Sequence, residues 1–313
     1  MTETPDISSA ASHLAVRAEE HSPLPHGGII LAGTPLGNPL DASFRLLAAL
    51  ASADVIAAED TRRVRALAEY LGVGVRGTEV ISNFDHNEQQ RADLLVQRAA
   101  AGQRVLVVTD AGMPSVSDPG FAVVSLAWER GVPVTCLPGP SAVPTALALS
   151  GVGMDHFSFE GFAPRKDGAR RTWLATLRRA THAACFFESP HRLAATLATA
   201  AEVLGEEREA AVCRELTKTF EEVHRGTLGE LARWAAEGVK GEITVILAPV
   251  PEGAATPAVE DVVGEVEDLV ADGQRLKAAA GVVARRYGVS KRELYEAAVA
   301  RKDRDDSPGF ATK

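Results

Sequence analysis

No apolar run in this chain of 313 residues is long enough to cross a membrane. The longest, Phe121–Trp128 and Ile243–Val250, fall far short of the ~20 residues that a spanning helix needs. The first residues include Glu3 and Asp6 and no long apolar stretch, so a signal peptide is not expected and a cytoplasmic protein is. Cysteine is scarce. Cys136, Cys185 and Cys213 are odd in number, widely spaced and set in apolar, strand-like runs, which predicts reduced core thiols rather than a disulfide framework or a metal site. Positive charge is not in excess: 33 Lys and Arg stand against 42 Asp and Glu, a net charge of −9. That balance excludes a uniformly basic nucleic-acid binder and leaves a local basic face open. The phosphate-binding G-x-x-x-x-G-K-[ST] loop and the G-x-G-x-x-G dinucleotide fingerprint are both missing. There is no internal repeat. No cluster of His, Cys and carboxylates has metal-ligand spacing, so no metal requirement is expected.

What is present is an alternation. The length suggests two domains, or one large domain with an appendage, and 46% hydrophobic residues can bury a sizeable core. Residues 1–27 are polar and aperiodic and are expected to be a disordered leader. From there, apolar strand-like runs (Ile29–Ala32, Val55–Ala58, Val80–Phe84, Val105–Val108, Val134–Leu137) alternate with helical patterns (Asp41–Ser52, Thr61–Leu71, Asn87–Ala101, Phe121–Arg130, Ser141–Ser150). This predicts an α/β domain over 28–150 built on a parallel sheet. After Gly151 the rhythm changes. Five strand-like runs (Phe157–Gly161, Ala184–Phe187, Ala210–Leu216, Glu221–Gly226, Glu242–Leu247) enclose three helical stretches, Arg170–Ala180, Arg192–Leu204 and Leu228–Glu237. Two of the strands adjoin within Arg214–Gly226, which predicts a second α/β domain with a mixed sheet over 151–248. A Pro/Gly/Ala linker spans 249–258. Three helical patterns, Val259–Ala271, Leu276–Tyr287 and Lys291–Arg301, make an appendage over 259–303, and 304–313 is a tail.

Charge is distributed unevenly along the chain. From Pro249 to Gln274 there are seven acids and no base, and from Arg275 to Arg292 six bases and no acid. Gly288-Val289 reads as a turn, and Ser290 with Glu293 as a capping box, so the appendage has a basic helix–turn–helix outline of the kind that touches nucleic-acid phosphates. Arg285, Arg286, Lys291 and Arg292 are its candidate contacts. A second basic segment, Gly161–Arg179, carries six bases against one acid, Asp167. Arg165, Lys166, Arg170 and Arg171 are candidate RNA contacts there, with Trp173 either a stacking ring or a core residue.

Three Gly/Pro-rich loops each follow a strand and precede a helix: Gly33-Thr34-Pro35-Leu36-Gly37-Asn38, Asp110–Gly120, and Pro138-Gly139-Pro140-Ser141-Ala142. In parallel α/β sheets the ligand lies outside the carboxyl ends of the strands, where glycines let backbone approach it. None of these loops contains Lys or Arg, which a polyphosphate would need. Acids stand at strand ends instead: Glu59-Asp60, Asp110 and Glu188. Carboxylates accept from ribose hydroxyls and amines and attract cations. A positively charged nucleoside without phosphate fits best, and S-adenosylmethionine is that molecule. Some of the acids read equally as helix caps, Asp118 before Pro119 among them.

Taken in order, the three loops, Glu59-Asp60-Thr61-Arg62, His86-Asn87-Glu88, Glu188-Ser189-Pro190-His191-Arg192, Arg214–Lys218 and Gly241-Glu242 closely resemble the RsmI branch of the tetrapyrrole-methylase-like superfamily. The resemblance runs from about Ile29 to Leu247, with the helical tail similar to that family's appendage. Small departures fall at Pro39-Leu40, Asp85, Thr109 and Met113. The resemblance implies two α/β domains with S-adenosylmethionine in the cleft between them, usually as a homodimer. It also implies methylation of the ribose 2′-hydroxyl of a cytidine in the decoding region of 16S rRNA, as free rRNA or in the assembled small subunit.

Cofactor contacts are then expected from Gly33, Thr34, Pro35, Gly37, Asp110, Ala111, Gly112, Pro114, Ser117, Asp118, Gly139, Ser141, Ala142 and Glu188. His86 has a suitable ordinary pKa for the base, with Asp60 or Glu59 aligning it or taking the proton instead and Arg62 holding a phosphate. His86 reads equally as a helix-start residue. Two rival readings stand beside this one: a sibling enzyme of the superfamily with another substrate, and a non-catalytic RNA-binding protein.

Overall fold

A computed structural model of the chain describes residues 7–84, 87–153, 155–250 and 259–305. The first sheet has the order β3-β2-β4-β1-β5, from strands β1 (Gly28–Ala32), β2 (Val55–Ala58), β3 (Glu79–Ser82), β4 (Arg104–Val108) and β5 (Val134–Leu137). Every pairing in it is parallel. The strands read as continuous apolar runs because helices cover both faces. Alternation sends Ile30, Ile56, Leu106 and Val108 to the face under α2 (Phe44–Ser52) and α3 (Thr61–Tyr70). It sends Ile29, Val55, Val105 and Val107 to the face under α4 (Glu88–Ala100) and α5 (Phe121–Glu129). Cys136 departs from the expected core thiols: β5 is an edge strand, and the thiol is exposed.

The second sheet, β6-β7-β10-β8-β9, is mixed, as its adjacent strands predict. β6 (Phe157–Phe162) pairs in parallel with β7 (Ala183–Glu188). β10 (Ile243–Leu247), β8 (Glu209–Arg214) and β9 (Glu222–Thr227) complete it with antiparallel pairings. One face packs Phe186, Val212 and Val245 against α7 (Asp167–Leu177), α8 (Pro190–Leu204) and α9 (Leu228–Ala236). The other face receives α6 (Ala142–Ser150), whose Val143, Ala146 and Leu147 join Cys185, Cys213 and Ile246. This corrects the domain boundary placed at Ser150: α6 packs on the second sheet, so the structural junction falls just before it. Strand–helix alternation says that a helix exists there but not which sheet it covers.

The appendage is three helices, α10 (Val259–Ala271), α11 (Leu276–Tyr287) and α12 (Lys291–Asp305), around a core of its own. Gly288 closes α11 at φ +61°, a left-handed C-cap that glycine adopts without cost. Ser290 Oγ accepts from the Glu293 amide at 3.3 Å to start α12. Of the linker, residues 251–258 lie outside the described residues.

The disordered leader is also corrected. Residues 7–21 form α1 (Ile7–His21), packed against α2. The alanines of this stretch carry high helix propensity, which its polar and His content obscured. Leu24 is buried in the first core, and its carbonyl accepts from Arg104 Nη2 at 3.2 Å.

Candidate active site

The chain leaves β1 and β4 in opposite directions across the first sheet, which opens a crevice at their carboxyl ends. The loops there are tied to one another. Thr34 and Gly112 exchange backbone hydrogen bonds of 2.9 and 3.0 Å, and the Gly33 amide donates to Leu137 O at 3.1 Å. The buried Thr34 hydroxyl donates to Thr109 O at 3.1 Å. Gly33 and Gly139 face each other. A Cβ on Gly33 would lie 2.8 Å from Gly139 Cα, and one on Gly139 would lie 2.9 Å from Gly33 O. These two glycines let loop approach loop.

Between the two sheets lies a cleft of about 430 Å³. Its walls include the predicted residues Glu59, Asp110, Ala111, Gly112, Asp118, Ser141, Ala142 and Glu188. Gly33, Thr34, Pro35, Gly37, Pro114, Ser117, Gly139, Asp60 and Arg62 are not in the lining. Gly37 serves the domain junction, where a Cβ would meet Lys218 Cγ. Ser115 and Ser117 take left-handed backbone at φ +70° and +64°, which winds the 113–119 loop tightly. Sequence reasoning missed Arg63, Met113, Phe162, Phe187 and Thr244 on the walls. It passed over Arg63 for its neighbour, and Phe162 sits inside a segment chosen for its bases.

The carboxylates form a connected set. Asp110 Oδ1 accepts from the Asp60 amide at 3.0 Å, and Glu59 Oε2 accepts from the Asp110 amide at 3.2 Å. Asp110 Oδ2 lies 3.4 Å from Arg63 Nη1. Asp60 caps α3 and holds Arg62 by two bonds, 3.1 Å from Nε and 2.6 Å from Nη2. The Arg62 guanidinium keeps the Asp60 carboxyl well below the usual carboxylate range, so it is a poor proton acceptor near neutrality. Glu188 is buried and fully engaged: it accepts from the Ser189 amide at 2.7 Å and from Thr196 Oγ1 at 2.6 Å, and pairs with Arg192. Its side chain organises the start of α8 at the cleft wall.

His86 lies outside the described residues. Its neighbours are structural. Asn87 Oδ1 accepts from the Phe84 amide at 2.9 Å. Glu88 Oε1 accepts from Gly120 and Ala122 amides at 2.6 and 3.0 Å, capping α5 across the fold. Gly120, and not Asp118, is the N-cap residue of that helix.

The second domain lines the cleft with Phe162, Phe187–Pro190 and Gly241–Thr244, and its 215–218 loop meets the first domain beside it. Glu215 and Thr217 adopt φ +52° and +65°, a left-handed conformation that costs non-glycine residues energy. Bonds hold it there: Glu215 Oε1 accepts from the Glu242 amide at 2.9 Å and from Lys218 Nζ at 2.8 Å. Thr217 Oγ1 accepts from the Asn38 amide at 3.0 Å, joining the two domains.

A family model described as "Tetrapyrrole (Corrin/Porphyrin) Methylases" matches residues 28–232, and one described as "RsmI C-terminal HTH domain" matches 257–302. The ribosomal RNA small subunit methyltransferase I of Mycobacterium bovis is 55% identical over 87% of this chain and 94% of its own length. The chain belongs to the ribosomal RNA small subunit methyltransferase I family. Its namesakes from Vibrio cholerae and Escherichia coli O157:H7 are 40% and 38% identical, over 88% and 87% of this chain and 96% and 95% of their own. Among solved structures, the methyltransferase CobJ is similar in fold (TM-score 0.56, 21% identity, 72% of this chain and 95% of that one). So is a Thermus thermophilus uroporphyrin-III C-methyltransferase complexed with S-adenosylhomocysteine (TM-score 0.52, 19% identity, 71% and 97%).

The basic candidates in this family member divide. Arg165 and Lys166 are exposed in the loop after β6. Arg170 is buried, donating to Thr199 Oγ1 and to Asp167 Oδ1 at 2.7 Å, which corrects its reading as an RNA contact. Trp173 packs into the core, edge-on to Phe186 at 5.1 Å. Arg171 pairs with Asp167 and with Glu202 at 2.6 Å, and Arg286 with Glu265 at 2.7 Å. Arg292 pairs with Glu296, one turn on. Lys291 is exposed, and Arg285 is exposed with no carboxylate partner among the described residues. Among the described residues no group of three His, Cys or carboxylates stands where it would hold a metal ion, and no helix is long and apolar enough to cross a membrane.

Proposed function

We propose that this chain transfers the methyl group of S-adenosylmethionine to the ribose 2′-hydroxyl of a cytidine in the decoding region of 16S rRNA. The observation that carries the reading is the inter-domain cleft. Its volume of about 430 Å³ suits a small ligand. Its charged lining is five carboxylates, Glu59, Asp110, Asp118, Glu188 and Glu242, against one cation, Arg63 beside Asp110, and its apolar wall includes Leu36, Val116, Phe162 and Phe187. That donor set fits a cationic adenosyl compound: hydroxyl and amine donors meet carboxylates, and a ring meets the aromatic wall. The acceptor follows from the relatives' names, and the 2′-hydroxyl of a cytidine from the motif resemblance. Free 16S rRNA or the small subunit is the substrate, and the acting form is a cytoplasmic homodimer, whose mass in solution tests it.

The bound sulfonium supplies an activated methyl group, so the protein's task is positioning and exclusion of water. Glu59, Asp110 and Asp118 would orient the donor from the first domain, with the 241–244 segment on the facing wall from the second. S-adenosylmethionine held there would give up its methyl group to the acceptor oxygen and leave as neutral S-adenosylhomocysteine, so the protein's own groups have to take up the hydroxyl proton. Asp60, held by Arg62, is too weak a base and acts instead to position that guanidinium beside the RNA. His86 of the His86-Asn87-Glu88 motif takes the proton, as an imidazole is the usual general base. His86→Ala should lower kcat by roughly 10²–10⁴-fold and leave cofactor affinity nearly unchanged. Calorimetry with S-adenosylmethionine tests the reading at its base, and absence of binding to the folded wild type would refute it.

A further inference from the structure

We propose that the groove between the end of α7 and the helical appendage seats the RNA backbone, with the body and the appendage as the two sides of one phosphate-binding slot. The inference rests on the rRNA reading above and adds where the phosphates run. The two basic segments, about a hundred residues apart in sequence, form the walls of a single groove of about 980 Å³. Arg171, Arg178 and Arg179 stand on the body side, and Arg285 and Arg286 on the α11 side.

The facing carboxylates are Glu265 and Asp268 of α10, and Glu265 is already taken by Arg286 and the Tyr287 hydroxyl. Positive charge in the groove is therefore incompletely neutralised. The Arg179 guanidinium has no carboxylate partner among the described residues and lies 5.4 Å from the Tyr287 ring centre. Burial and the adjacent Arg178 lower its proton affinity, a crowding that a bound anion relieves. Arg178 Nη1 donates to the Tyr287 hydroxyl at 3.1 Å, so the buried Tyr287 fastens the appendage to the body at the base of the groove.

The groove is placed to serve the cleft. Phe162 lines the cleft just before α7, and Arg178 and Arg179 follow α7 directly. The 11 residues of α7 span about 16 Å at 1.5 Å per residue. An RNA with its target ribose in the cleft thus has backbone a few nucleotides away within reach of the groove. Such contacts set register and affinity but read no bases.

The test is a salt titration of the binding of a fluorescein-labelled 16S rRNA transcript to the full chain. Arg285→Gln, whose side chain is exposed and has no carboxylate partner among the described residues, is compared with the Arg179→Gln/Arg285→Gln double variant and with Arg76→Gln, an exposed arginine outside the groove. The slope of log affinity against log salt should flatten by about 1 for each phosphate contact removed. Binding should weaken in the same order, with thermal stability and S-adenosylmethionine affinity of Arg285→Gln unchanged. Arg76→Gln should follow the wild type. Wild-type slopes and affinities in both groove variants overturn the inference and leave the rRNA reading standing. Equal flattening in Arg76→Gln overturns it too, because net charge alone then explains the loss. A wild type that does not bind the transcript brings down the rRNA reading and this inference together.

Discussion

Gly33→Ala separates two explanations for glycine at the ends of β1 and β5. If Gly33 is glycine to admit a ligand, alanine costs binding and leaves the empty fold alone. The structure gives the other answer. The new Cβ would lie 2.8 Å from Gly139 Cα and 3.0 Å from Gly139 N, against an ordinary contact of 3.4–4 Å. Met113 Sδ, also at 2.8 Å, belongs to a flexible side chain that can move, whereas the Gly139 backbone cannot. The loops must part by about half an ångström in a close-packed region, and overpacking of this kind costs about 1–3 kcal/mol. For a domain of this size that is a fall in Tm of about 2–12 °C. Because Ser141 and Ala142 of the cleft wall continue from the displaced loop, cofactor affinity should fall as well. Thermal unfolding of the ligand-free protein is the deciding assay, followed by calorimetry with S-adenosylmethionine. An unchanged Tm in the empty protein with binding abolished would refute the loop-packing account.

Gly112 behaves differently: it lines the cleft and a Cβ there meets only Leu36 Cδ2 at 3.4 Å and Pro140 O at 3.9 Å, but its left-handed φ of +85° strains any side chain, a β-branched one most, so its variant should also lower Tm. Gly112→Val should abolish S-adenosylmethionine binding in calorimetry while unfolding stays cooperative. The Glu215 carboxyl is held below its ordinary 4.5 by its bond from Lys218 and then by the Glu242 amide. The unfolded chain therefore binds more protons in that window, so the stabilisation is complete above about pH 4.5 and is lost as pH falls through the folded value. An acid titration of Tm should show this loss in the wild type and a flatter profile in Glu215→Gln. Burial pushes the Cys185 and Cys213 thiols up to about 12, while Cys136 is exposed. Iodoacetamide at about pH 8 should label Cys136 alone in the folded protein, as peptide mass spectrometry would show.

Most strands were legible because a parallel sheet covered on both faces demands continuous apolar runs, and those of β1, β2 and β4 stand out between turns. The cleft's acids were legible for a similar reason: Glu59 and Asp110 follow strands directly, where such sheets bind ligands. What stayed hidden depends on partners distant in sequence. Nothing local reveals that Gly33 packs on Gly139, that Glu88 caps a helix starting 33 residues later, or that α6 covers the second sheet. Arg170 resembles its exposed neighbours in sequence, and its inward turn depends on Asp167 and on Thr199 of α8, 29 residues away. The leader misled because its alanine content was outweighed by its polar residues, though α2 gives it a surface to pack on.

The central claim is methylation of one ribose in 16S rRNA, and mass mapping of rRNA from cells with and without the gene tests it most directly. Nuclease fragments from the decoding region should lose one methyl mass at a single cytidine when the gene is deleted. The missing methyl should return with the wild-type gene but not with Gly112→Val, and the linkage after that cytidine should become sensitive to alkaline hydrolysis in its absence. Identical methylation of 16S rRNA in both strains, or loss of a methyl from a base with ribose methylation intact, would contradict it.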